Sequence, residues 1–124
     1  MHKSLFTIIF FLFTVNFAFS QQDITQLNEA FEKLALQKKG LNEVVKTDVS
    51  GLTLHDFITS LAQEHQLNVD VDSNLNQSIV NNFFDVTVKE VLVHLIVKHD
   101  IEVEFLNNII VFKKKKEPLA PFSF

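Results

Sequence analysis

Two stretches of the chain share one hydrophobic pattern. Over residues 53–71, TLHDFITSLAQEHQLNVDV, apolar side chains fall at Leu54, Phe57, Ile58, Leu61 and Ala62, the spacing of a helix face wide enough to cover a sheet. From Leu67 the period changes to two, with Leu67, Val69 and Val71 on one side and Asn68, Asp70 and Asp72 on the other, which predicts a strand. Residues 87–105, TVKEVLVHLIVKHDIEVEF, repeat the pattern at an offset of 34. Thr53 falls on Thr87, Asp56 on Glu90, Leu61 on Leu95 and His65 on His99, and further back Val45 falls on Ile79 and Val49 on Phe83.

The unit behind the repeat is strand, helix, strand. Thr53 and Thr87 are predicted N-caps, each with a carboxylate three residues on that reaches back to the cap and sits at the positive end of the helix dipole. Ile101, Val103 and Phe105 are expected inward, and Glu102 and Glu104 outward. Asn107-Asn108 tolerates the left-handed backbone of a hairpin turn, after which Ile109–Phe112 is apolar on both faces, as an interior strand is. The expectation is an α+β sandwich over 42–114, a duplicated βαβ unit in the order β-α-β-β-α-β-β, with two helices packed on small mixed sheets. A domain of that size folds alone with a modest margin.

Residues 21–41 form a lead-in helix and linker. Asp23 and Gln26 resemble a capping box, Leu27, Phe31 and Leu34 make a narrow stripe, and Gly40 is read as the helix stop. Residues 1–20, MHKSLFTIIFFLFTVNFAFS, read as a signal peptide: a basic start, an apolar run from Leu5 to Phe19, and small residues Ala18 and Ser20 before a cut at Gln21. The run is short for a membrane span and no basic stop-transfer segment follows, so export is preferred over an uncleaved anchor. Residues 115–124 carry Pro118 and Pro121 and read as a linker or a truncated continuation.

Composition narrows the chemistry. All eleven basic residues are lysine, so the bidentate arginine fork is missing. The predicted cut removes Lys3 and no carboxylate, taking the formal charge from −4 to −5, which disfavours nucleic acid as a partner. With no cysteine, neither a disulfide nor a thiolate metal site is available.

The stretch NVDVDSNLNQS places oxygen ligands at Asp70, Asp72, Asn74 and Asn76, as a calcium-binding EF-hand loop begins. Counted from Asp70, position six is Leu75 where the loop needs glycine, and position twelve is Asn81 where it needs glutamate. Alternation explains the acids better, with Asn74 and Asn76 in a turn and Leu75 tucked beneath it. His65 and His99 are read as helix C-termini, and His55 and His94 as flanking positions without a carboxylate at a telling spacing. Asn76-Gln77-Ser78 fits a glycosylation acceptor if the cell is eukaryotic, and the run Lys113–Lys116 a solvated strand end. No nucleophile elbow or phosphate loop can be drawn with only Gly40 and Gly51, so no catalytic residue, cofactor or metal is expected.

A signal segment followed by VSGLTLHDFITSLAQEHQLNVDVDSNL, then FDVTVKEVLVHLI, then IEVEFLNNIIVF resembles the short N-terminal (STN) domain shared by secretins and TonB-dependent transducers. The lead-in LALQKKGLNEVV and the stretch SNLNQSIVNNFFDVTVKEVL look most like secretins of the Bacteroidetes type. The resemblance implies an exported, periplasmic or outer-membrane-associated protein-interaction module of a secretion or pilus protein. Its implied partner is an inner-membrane assembly protein or, in a transducer, an anti-sigma regulator. Membrane contact and a ring-forming homo-oligomer would come through downstream domains of a full-length secretin. A signalling domain of a TonB-dependent receptor, or a free-standing periplasmic binder of a small ligand or peptidoglycan, is the alternative. The first strand is the candidate edge for strand addition, with Glu43, Val44, Lys46 and Asp48 as its interface residues.

Overall fold

The computed structural model describes residues 23–115. The expected signal peptide and the linker from residue 116 onward, Lys116 included, lie outside the described residues. Helix α1 runs through 23–35 and is followed by a 3-10 helix at Lys39–Asn42. Then come β1 (Val44–Thr53), α2 (Leu54–Glu64), β2 (Asn68–Val71), β3 (Ser78–Thr87), α3 (Val88–Lys98), β4 (Ile101–Leu106) and β5 (Ile109–Lys114). The fold is the expected α+β arrangement of two βαβ units. β1, α2, β3 and α3 keep the offset of 34 residue for residue, as the sequence repeat does.

The strands form two sheets. β1 and β3 make an antiparallel ribbon, and β2, β5 and β4 a mixed three-stranded sheet with β5 in the middle. Both α2 and α3 contact both sheets. The ribbon has an internal pseudo-two-fold: Val44 pairs with Thr87 as Ser78 pairs with Thr53, and the Asp48–Asn82 pair sits at the centre. Each half carries a bulge, leaving Gly51 unpaired in β1 and Asp85 unpaired in β3. The same symmetry ties strand to helix. The first amide of α2, Leu54, donates to the Gln77 carbonyl at 3.0 Å, and that of α3, Val88, donates to the Glu43 carbonyl at 2.9 Å. Each helix start thus finds a partner for an amide that its own turns leave unsatisfied.

The core joins Val45, Val49, Ile79 and Phe83 of the ribbon to Leu54, Ile58, Leu61, Val88, Leu92 and Leu95 of the helices and Ile110 and Phe112 of β5. Leu41 and Leu75, equivalent positions ahead of β1 and β3, are both buried, so Leu75 does lie under its turn. The lead-in helix belongs to the same body. Its Phe31 and Ala35 are buried in this core, Phe31 meets Phe105 edge-on at 5.2 Å, and Glu32 pairs with Lys89 at 3.0 Å.

Four local expectations change. Asp23 is already helical and is not a cap. Gly40 lies in the 3-10 helix, and a Cβ there would run into the His65 carbonyl oxygen; close approach, not helix ending, requires glycine. Phe105, expected inside, is 36% exposed and packs one edge of its ring against Phe31 of the lead-in helix. The two N-caps also differ. Thr87 and Glu90 form a full capping box, whereas at α2 only Thr53 Oγ1 accepts from the Asp56 amide, at 3.1 Å. The Asp56 carboxylate, one methylene shorter than a glutamate, meets His55 Nδ1 at 3.1 Å instead.

Candidate partner edge

The ribbon has two strands, so among the described residues β1 has β3 on one side and no strand on the other. Its alternation puts Val45 and Val49 into the core and leaves Val44, Lys46 and Asp48 exposed. Lys46 lies over the ring of its cross-strand partner Phe84, 5.1 Å from the centroid, and Asp48 faces Asn82. These two charges are the device by which an exposed edge resists pairing with a copy of itself.

Beside the free edge runs a groove of about 390 Å³ between β1 and α2. Phe57, Ser60, Leu61 and Glu64, which recur at helical spacing along α2, form the wall facing the strand, and His65 closes one end. Such a groove gives an incoming strand backbone groups on one side and an apolar and polar wall for alternate side chains on the other. The reading from sequence identified the strand and missed this wall. The i, i+3, i+4, i+7 run from Phe57 to Glu64 was the signal for it, but which strand edge it faces is decided by the fold.

Glu43 differs from the other three candidate residues. Its Oε1 accepts from His65 Nδ1 at 2.9 Å, tying the C-cap of α2 to the start of β1. In the second repeat the equivalent pair is Gln77 and His99, at 2.7 Å. His99 Nε2, on the other side of the ring, is buried without a hydrogen-bond partner among the described residues. Burial, with Lys98 and His94 nearby, holds the His99 pKa below its ordinary value.

The remaining sequence candidates are structural. Asp72 accepts from the Asn74 amide at 2.9 Å and from the Lys114 amide at 3.2 Å, and these bonds lower its pKa. It closes the turn after β2 and ties it to β5. Lys113 and Lys115 pair with Glu104 and Asp100. His65 and His99 are the C-caps expected of them, while His94 packs edge-on against Phe83 at 5.9 Å. Among the described residues no helix is long and apolar enough to cross a membrane. The chain matches no protein-family model and no curated protein.

Proposed function

We propose that the protein is a periplasmic interaction module of the secretin and TonB-transducer type, most like the N-terminal region of a secretin, and that it binds its partner by strand addition along β1. The observation that carries this reading is the unpaired β1 edge lying beside the Phe57–Glu64 wall of α2. An extended segment of an inner-membrane assembly protein would extend the ribbon to three strands, its main chain bonded to β1 and alternate side chains in the groove. Export to the periplasm and absence of catalysis are part of the same proposal. An anti-sigma regulator would use the same edge in a transducer.

The test exploits strand geometry. Successive residues of a strand direct their amides to opposite edges, so of Lys46→Pro and Thr47→Pro one removes an amide from the free edge and the other breaks the ladder to β3. A photo-crosslinker at position 44, in the cell that makes the protein, is expected to give one discrete protein adduct. The proline variant that keeps its folded circular dichroism should lose that adduct. If the adduct survives in that folded variant, strand addition at β1 is wrong.

A further inference from the structure

A second surface lies on the other sheet, away from β1. Ile110 and Phe112 of β5 point into the core, so Ile109, Val111 and Lys113 point out, and the register arranges the outer face in three rows. In the first row Ile109 lies between Asn68 and Leu106; in the second Val111 lies between Asp70 and Glu104; in the third Lys113 faces Glu102. Leu106 and Ile109 are 55% and 44% exposed. Val111, in the next row, is 6% exposed and adds little accessible surface to this face. The face thus has an apolar strip at the hairpin end, flanked by three carboxylates. Lys113 on this face is already bonded to Glu104 at 3.2 Å, and Lys115 beyond it to Asp100 at 3.5 Å.

We propose that this outer face docks a cationic amphipathic helix of a partner protein, with the helix's apolar stripe on Leu106 and Ile109 and its basic residues against Asp70, Glu102 and Glu104. The width fits: three strands span about 10 Å between their outer axes, the diameter of a single helix. Layered folds cover a sheet's second apolar face in this way, with a helix on it. Charge selects the occupant. A second copy would bring the same three acids against these three, in a chain whose formal charge is already −4. A lysine- or arginine-bearing helix meets them with opposite sign.

The experiment uses the purified chain as the cell processes it and two model helical peptides with the same leucine stripe. One peptide carries lysines beside the stripe and the other glutamates. The lysine peptide is expected to bind, to move the amide resonances of residues 68–70, 102–106 and 109–113, and to weaken with added salt. Leu106→Ser with Ile109→Ser should weaken it about tenfold, as should Asp70→Asn with Glu102→Gln, both pairs being on the surface. No binding, equal binding of both peptides, or shifts confined to β1 and β3 would overturn the proposal. So would sedimentation showing that the chain self-associates through Leu106 and Ile109. Because the face is remote from the β1 edge, either reading can fail alone.

Discussion

Gly51 and Asp85 occupy the same point of the two repeats: each is the unpaired residue of a bulge, and each has a positive φ, 86° at Gly51 and 59° at Asp85. The ribbon needs a left-handed residue there twice, and only one copy has the residue suited to it. Asp85→Gly should therefore stabilise the fold by about 0.5 kcal/mol, the relief of left-handed strain less the added freedom of the unfolded chain. Gly51→Ala should cost about 1 kcal/mol, and the cost is torsional because a Cβ at Gly51 meets nothing within 4 Å. Urea unfolding of both variants measures this, and a neutral result at both positions would mean that the bulges relax freely.

Gly40 is constrained for the opposite reason. Its neighbour is backbone, the carbonyl of His65, which cannot turn aside as a side chain can. Gly40→Ala should cost about 2 kcal/mol, within the range for overpacking, and should displace the end of α2 that closes the candidate groove. Thermal unfolding would show the loss, and the His65 ring resonances would report the displacement. Unchanged resonances would place the strain elsewhere.

The two helix starts should respond unequally. Thr87→Ala removes two bonds of the hydroxyl, one accepted from the Glu90 amide at 3.3 Å and one donated to the Glu90 carboxylate at 2.8 Å, whereas Thr53→Ala removes one. The expected losses are about 1.5 and about 1 kcal/mol. Glu90→Ala should destabilise more than Asp56→Ala, which loses only the carboxylate's interaction with the helix dipole. The bonds from Thr87 hold the Glu90 pKa below its ordinary 4.5, so its contribution is complete above that value and is lost as pH falls through the lower folded value. Equal losses at Thr53 and Thr87 would contradict this.

His99 should make the fold sensitive to mild acid. Its pKa is lowered in the folded state from 6.5, so the unfolded chain binds the proton more readily. The stability held by neutral His99 is complete above 6.5 and drains away as pH falls from there through the lower folded value. Between about pH 7.5 and about pH 5.5 the wild type should lose more of its melting temperature than His99→Gln, which has no proton to gain. Parallel curves for the two proteins would remove His99 from the acid response.

The duplicated unit, its element order and its caps were legible in the residues themselves. Helix and strand periods are local, and Thr53 and Thr87 act on neighbours in sequence, whereas the side chains of His65 and His99 reach partners 22 residues away. Leu75 could be placed under its turn because a large apolar residue in a polar stretch has one favourable direction. Other features were decided only by the tertiary structure. Periodicity says which face of a strand is buried but not which strand lies beside it, since backbone donors and acceptors are the same in every strand. The choice of β3 as the partner of β1 leaves the β1 edge free, and the choice of β5 as the middle strand lines up Leu106 and Ile109. Gly51 and Asp85 become bulges only once that register exists. Phe31 joins the core because the sheet and α3 together leave α1 a place to dock, which a narrow stripe on an isolated helix does not specify.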